Sequence, residues 1–222
     1  VAIVVILGST GSIGKNTLNL CEKFNVEVEA LSCAKNVALL NEQILKFKPK
    51  FVCVGDEKLA KNVKNIEAKK IFFGEAGLLE MLEISSSKKV INALVGFAGL
   101  APSLKTQALG KKLALANKES LVVGGKFLKT REILPIDSEH FGLKFLLENK
   151  TTPSKLIITA SGGAFYKKPI KFLKDATPSD ALKHPNWYMG AKITIDSATM
   201  TNKLFEVMEA YWLYGIKDIE AV

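Results

Sequence analysis

Carboxylates, lysines and small hydroxyl residues carry the chemistry visible in this 222-residue sequence. Asp137-Ser138-Glu139-His140 follows the apolar run Ile133–Ile136, so Asp137 and Glu139 project from one strand-to-helix corner. Two carboxylates on a polar turn suit a hard divalent cation such as Mg²⁺ or Mn²⁺, which takes oxygen ligands and keeps open positions. The same corner also reads as a helix start, with Ser138 at the N-cap and Glu139 as a favourable first-turn charge. Glu206 is a third candidate, early in a helix predicted over Leu204–Tyr214, with Asn202 and Lys203 on the same edge. An amide, an ammonium and a carboxylate on one facet could grip a phosphorylated sugar beside a metal; a solvated helix edge is the plainer alternative.

Donors for an anion lie between these points. Ser161-Gly162-Gly163 follows a predicted strand, Leu156–Thr159, and Ser197 and Thr199 follow another, Lys192–Ile195. Such residues after strands offer N–H and O–H groups, although ordinary turns have the same composition. Lys183–Gly190 carries Trp187 between Pro and Gly hinges, which suits either a lid that excludes water or a buried packing residue. His184, within it, could donate to a phosphate or move a proton, or be a satisfied structural histidine.

Elements must hold these groups in place. Short β-branched runs alternate with amphipathic segments in the first part, the pattern of a parallel sheet. Strands are predicted over Val1–Leu7, Val26–Leu31, Phe51–Val54, Lys70–Phe73, Val90–Val95 and Leu113–Ala116. Helices fall over Ile13–Phe24, Val37–Phe47, Lys58–Asn65, Ala76–Ile84 and Pro102–Leu109. These fit one doubly wound α/β domain over residues 1–125. The remainder, 126–222, has strands over Ile133–Ile136, Leu156–Thr159 and Lys192–Ile195 and helices over Phe141–Leu147 and Leu204–Tyr214.

The first predicted strand ends in Gly8-Ser9-Thr10-Gly11-Ser12-Ile13-Gly14, a glycine turn that opens a helix. Such a turn lets backbone N–H groups approach a pyrophosphate. After the second strand, Ser32-Cys33-Ala34-Lys35-Asn36 offers no acid for a ribose 2′-hydroxyl but does offer Lys35, which favours NADP over NAD. Asn117-Lys118-Glu119 follows the sixth strand, where it could bridge cofactor and substrate or simply start a helix.

Net charge is +9, nearly all of it from scattered lysines with Arg131 the only arginine. They are seldom interleaved with aromatics, which argues against a nucleic-acid groove; a positive field would help capture a small phosphorylated anion, while a soluble lysine-rich surface explains most of these residues. No apolar stretch approaches the roughly 18 residues of a membrane span, and Val1–Leu7 reads as a strand, not a signal peptide. Cys21, Cys33 and Cys53 lack CxxC spacing and read as buried free thiols in a reducing, cytoplasmic setting.

Taken together, GSTGSIG at 8–14, ALANKESLV at 114–122, PIDSEH at 135–140, ASGGAF at 160–165, KHPNWYMGAKITIDSATM at 183–200 and NKLFE at 202–206 resemble the 1-deoxy-D-xylulose 5-phosphate reductoisomerases. That resemblance implies a Rossmann-like NADP-binding domain followed by an α+β catalytic domain, with the family's C-terminal helical domain absent from this chain. It implies NADPH and a divalent cation as cofactors, a small phosphorylated sugar as substrate, a homodimer, and no nucleic-acid or membrane partner. Thr10, Gly11, Ser12 and Ile13 would line the pyrophosphate, Ala34, Lys35 and Asn36 the adenosine end, and Asn117, Glu119 and Gly190 would complete the cofactor site. Asp137, Glu139 and Glu206 would hold the metal, and Ser161, Ser197, Asn202, Lys203 and His184 the substrate phosphate. Lys118 and Ser138 would contact the sugar hydroxyls and carbonyl, and Trp187 and Met189 belong to a flap over 183–192. Lys118, Glu139 and His184 would be the catalytic groups. The implied reaction is a metal-assisted skeletal rearrangement followed by hydride reduction to 2-C-methyl-D-erythritol 4-phosphate, in the non-mevalonate route to isoprenoids.

This chain departs from the family pattern at Ala34, Ala164, Ala191, Leu204 and Phe205, none of them a proposed side-chain ligand. Another NADP-dependent reductase of the semialdehyde or homoserine dehydrogenase type shares the glycine turn but leaves the carboxylates and the lid without a purpose. A non-catalytic NADP-binding sensor would bind cofactor without turnover.

Overall fold

The β-branched runs of the first part form one parallel sheet in the computed structural model, which describes residues 2–148, 153–186 and 188–222. Two units are distinguished, Val1–Asp137 and Ser138–Val222. The first runs β1 (Ile3–Leu7), α1 (Ser12–Lys23), β2 (Glu27–Cys33), α2 (Val37–Phe47), β3 (Phe51–Val54), α3 (Glu57–Ala60) and β4 (Ile71–Phe73). It continues through α4 (Gly74–Ile84), β5 (Lys89–Asn92), α5 (Leu100–Ala108), β6 (Lys112–Leu115), α6 (Lys118–Gly124) and β7 (Leu134–Pro135). Among the described residues the strands order as β4-β3-β2-β1-β5-β6-β7, every pair parallel. The order reverses at β1, the doubly wound arrangement whose ligand crevice lies at the carboxyl ends of the strands. Val4 to Leu7 are buried on both faces, which is why they read as an unbroken apolar run. One face packs on Leu18 and Cys21 of α1 and Leu40 and Ile44 of α2, the other on Leu78, Met81 and Leu82 of α4.

Two expectations change here. The helix expected over Lys58–Asn65 is the single turn α3, because Asn41 of α2 binds the following loop, donating to the Asn62 carbonyl at 3.0 Å and accepting from Lys64 N at 2.8 Å. The strand expected over Ile133–Ile136 joins this sheet as β7, with Leu134 and Pro135 in register with Ala114 and Leu115. A proline has no N–H to donate and suits that edge position. The first compact unit thus includes β7 and runs to Asp137.

The second unit contains α7 (Ser138–Leu147), β8 (Leu156–Ile158), α8 (Pro178–Ala181), α9 (Ala191–Ala198), α10 (Thr201–Tyr214) and β9 (Ile219–Ala221). β8 and β9 pair in parallel, and Leu156, Ile158, Ala210 and Ile216 form a core against Leu143, Leu147, Val207 and Tyr214. Lys192–Ile195 is helical, a correction to the strand expected there. Its alternating pattern favours a strand locally, but buried Thr194 and Ala198 lie one helical turn apart. Lys192 pairs with Asp196 at 2.6 Å across the same interval, and the Thr194 hydroxyl donates to the Gly190 carbonyl at 2.9 Å. Packing thus overrides β-propensity.

Cys21, Cys33 and Cys53 are buried and free. Burial pushes the Cys33 thiol up to about 11 and, with Cys33 beside it, Cys53 to about 12. No helix among the described residues is long and apolar enough to cross a membrane.

A buried carboxylate ties β2 to the segment before β5. Glu29 is 2% exposed and accepts from Ser86 N at 3.0 Å, the Ser86 hydroxyl at 2.6 Å and Ser87 N at 2.6 Å. Burial alone would raise its pKa, yet these donors, with the Lys50 ammonium at 3.8 Å, hold it below the ordinary carboxylate value. A depressed folded pKa contributes stability that is present above the unfolded value near 4.5 and lost as pH falls through the folded one. Glu29→Gln sets an amide N–H₂ against these donors and should cost about 1–3 kcal/mol at pH 7. Thermal unfolding of both proteins should show that difference shrinking as pH drops below 4.5.

Candidate functional site

The glycine turn of the first unit is shaped by its neighbours. A Cβ at Gly14 would overlap the Gly8 carbonyl oxygen and the Ser9 backbone, so only glycine lets α1 start this close to the turn. Ser9 is fully buried; its N–H donates to the Ser32 carbonyl at 2.8 Å, and Gly8 N donates to the Ser32 hydroxyl at 3.0 Å. Gly11 is the N-cap of α1 and no side chain caps the helix. The first N–H groups of α1, from Ser12 and Ile13 onward, are thus left without a side-chain acceptor, as an anion site requires. Thr10 flanks them, half-buried, while Ala34, Lys35 and Asn36 lie exposed past β2. Asn36 caps α2 by accepting from Leu39 N at 3.2 Å.

Asn117 is 1% exposed and is the N-cap of α6, its Oδ1 accepting from Ser120 N at 3.0 Å. Its amide donates to the Leu94 and Gly96 carbonyls at 2.9 and 2.8 Å and lies 3.2 Å from a Glu119 carboxylate oxygen. The side chain therefore shapes the loop after β5. Lys118, in the first turn of α6, pairs with Asp137 at 2.6 Å, and both are nearly buried.

In the second unit, Glu139 stands in the first turn of α7 and Glu206 in α10, with carboxylate oxygens within 4.8 Å of each other. Lys203 joins them. Its ammonium lies 3.2 Å from Glu139 Oε1, in contact with Glu206 Oε2, and donates to the Thr159 carbonyl at 2.5 Å. Asn202 Nδ2 donates to the other Glu206 oxygen at 2.5 Å. Burial alone would raise the Glu139 pKa, but the Ser138 hydroxyl and Lys203 outweigh it and hold the carboxyl at about 2. Glu139 is therefore ionised at neutral pH, as a metal ligand must be. Lys203 and Glu206 are buried, at 7% and 2% exposure, which removes the solvated-edge alternative. Asp137, the last residue of the first unit, precedes Glu139 by two residues, so covalent geometry alone keeps their Cα atoms within about 7–8 Å.

Ser161 and His184 meet: the Ser161 hydroxyl lies 3.2 Å from His184 Nε2, while Asn186 N donates to His184 Nδ1 at 3.1 Å. An accepting Nδ1 selects the tautomer with hydrogen on Nε2, which then donates to Ser161. Gly163, at φ 62°, backs onto the Ser197 carbonyl so closely that a Cβ would overlap it. The Ser161 loop is thereby set against the last turn of α9, where Ser197 lies. Of the expected flap, Trp187 lies outside the described residues, Tyr188 is fully exposed, Met189 is half-buried, and Gly190 is the N-cap of α9.

Sequence reasoning misses three contributors. The Thr159 carbonyl has no side-chain signature. Gln43 and Glu209 do have one, since each is a polar residue on the buried face of its helix. Gln43 bonds Ser9, and Glu209 lies 3.3 Å from His140 Nε2, with both groups buried.

Comparisons with known proteins bear on these features. Residues 4–125 match the family model described as 1-deoxy-D-xylulose 5-phosphate reductoisomerase, and residues 133–214 match that of its C-terminal domain. The reductoisomerase of Campylobacter curvus is 73% identical over 219 residues, 99% of this chain and 60% of that protein. A crystal structure of DOX-P reductoisomerase with NADPH, fosmidomycin and magnesium is similar at a TM-score of 0.86 and 35% identity, over 100% of this chain and 60% of its own. The Zymomonas mobilis enzyme in complex with NADPH is similar at a TM-score of 0.85 and 34% identity, over 99% of this chain and 60% of its own. The chain thus spans 60% of the length of these relatives.

Two glycines should respond oppositely to the same substitution. Gly163→Ala meets the Ser197 carbonyl and a positive φ, which alone costs about 1–2 kcal/mol. Gly142→Ala, in α7 with nothing within 4 Å, should stabilise by up to about 1 kcal/mol. Thermal unfolding of the two variants should show shifts of opposite sign.

Proposed function

The chain belongs to the 1-deoxy-D-xylulose 5-phosphate reductoisomerase family, and from that premise we propose that it carries the cofactor and metal-binding parts of an NADPH- and divalent-metal-dependent reductoisomerase. The reaction would convert 1-deoxy-D-xylulose 5-phosphate to 2-C-methyl-D-erythritol 4-phosphate, on the non-mevalonate route to isoprenoids. One observation carries this reading: a close carboxylate pair, Glu139 and Glu206, in a chain that also presents an uncapped helix start after a glycine turn. A metal-free dehydrogenase needs only the second.

The residues fit both groups. Bound NADPH would supply the hydride. Thr10, Gly11, Ser12 and Ile13 offer backbone donors to its pyrophosphate, and the exposed Lys35 suits a 2′-phosphate, with Ala34 and Asn36 beside it. Asn117, Glu119 and Gly190 complete that site in this reading, Asn117 through the loop it shapes. A divalent cation would supply Lewis acidity at the ketone oxygen. Asp137, Glu139 and Glu206 offer the hard oxygen donors such a cation takes. Ser161, Ser197, Asn202, Lys203 and His184 would hold the phosphate, with the Ser161 hydroxyl and the His184 ring already side by side at 3.2 Å. Binding this non-reacting group helps orient the substrate. Lys118 and Ser138 would contact the sugar, and the 183–192 segment, with Trp187 and Met189, would exclude water. A homodimer in the cytoplasm is part of the same reading.

The test is NADPH oxidation by the full-length protein with 1-deoxy-D-xylulose 5-phosphate, with and without Mg²⁺ or Mn²⁺. Turnover should require the metal. Turnover that survives chelation would point to a metal-independent dehydrogenase, and NADPH binding without turnover to a sensor. Glu206→Gln should lower metal affinity at least ~10-fold, with a matching loss of rate and NADPH affinity nearly unchanged.

A further inference from the structure

Gln43 occupies a position on α2 where an apolar residue would serve packing better. It lies on the face that buries Leu40 and Ile44, and is itself 6% exposed. Burying an amide is unfavourable unless it is hydrogen-bonded. Gln43 meets this through a reciprocal pair with Ser9: the Ser9 hydroxyl donates to Gln43 Oε1 at 2.7 Å, and Gln43 Nε2 donates to the Ser9 carbonyl at 3.0 Å. The Ser9 hydroxyl also lies 3.2 Å from the Ser32 carbonyl, which accepts from Ser9 N. The start of the glycine turn, β2 and the middle of α2 are closed into one buried knot.

The knot fixes an orientation. In a planar trans peptide the carbonyl of one residue and the N–H of the next point in opposite directions. With the Ser9 carbonyl drawn toward Gln43, the Thr10 N–H is turned away from that side chain. Helix α2 also carries Asn36 at its N-cap, with Lys35 just before it. One side chain thus ties the glycine turn to the helix that begins just past Lys35.

We propose that Gln43 is a positioning residue for NADPH, aiming the Thr10 N–H at the pyrophosphate and fixing its distance to the Lys35 site. This rests on the NADPH reading above. The experiment uses full-length Gln43→Met, which keeps the volume and loses both bonds, and Gln43→Glu, which keeps the acceptor for Ser9 and loses the donor to its carbonyl. NADPH and NADH dissociation constants are read by nicotinamide fluorescence, beside thermal unfolding and Mn²⁺ binding. Both variants should bind NADPH about tenfold more weakly, lose part of the preference over NADH, and bind Mn²⁺ as the parent does. Folded variants whose NADPH affinity stays within twofold of the parent overturn the proposal, whatever their melting temperature, because packing alone would then explain Gln43. If Gln43→Met does not fold, Gln43→Glu decides by the same criterion. A parent protein that fails to bind NADPH overturns the cofactor reading, and this inference with it.

Discussion

Lys203 places a positive charge where water hardly reaches, and the second unit is arranged to make that tolerable. An isolated buried ammonium is costly, and so are two carboxylates brought within 4.8 Å of one another. Each arrangement resolves the other, with the lysine between Glu139 and Glu206 and the Thr159 carbonyl taking a further hydrogen bond. Three stretches far apart in the chain are tied at one point: the first turn of α7, the end of β8 and the start of α10. Removing one partner would leave the others buried and uncompensated. The low pKa of Glu139 follows from the same arrangement. A second tie runs parallel to it, one residue along α7 and three along α10, where His140 meets Glu209 and the Tyr214 hydroxyl donates to the His140 carbonyl at 2.6 Å.

The first unit raises a different problem. The cofactor site we propose there is made largely of backbone, and backbone donors can be aimed only by fixing peptide planes. Glycine at 14 provides the close approach, and Ser9, Ser32 and Gln43 provide the direction. A cofactor held in this way meets a surface already organised before it arrives.

Local chemistry is what the sequence makes legible. The glycine turn, the doubly wound alternation and the carboxylate corner at 137–139 depend on residue types and short spacings, and each lies where the pattern puts it. Tertiary effects are not legible in the same way. The pattern of Lys192–Ile195 favours a strand, and only the packing of Thr194 and Ala198 makes it a helix. The three residues of β9 give no periodic signal, and the run Ile133–Ile136, legible as a strand, carries no sign that it joins the first sheet beside β6. Lys203 and Glu206 look like a solvated edge because the groups Lys203 meets, Glu139 of α7 and the Thr159 carbonyl after β8, are distant in sequence.

The helical state of α9 carries a mechanical meaning. Its eight residues span about 12 Å as a stiff rod, from Gly190 at the end of the 183–190 loop to Ser197 in its last turn. An extended tether would let the two ends drift independently. A rod fixes their separation, so the position of Gly190 and that of the Ser197 turn are set together. Gly163, seated against the Ser197 carbonyl, settles where that end of the rod lies.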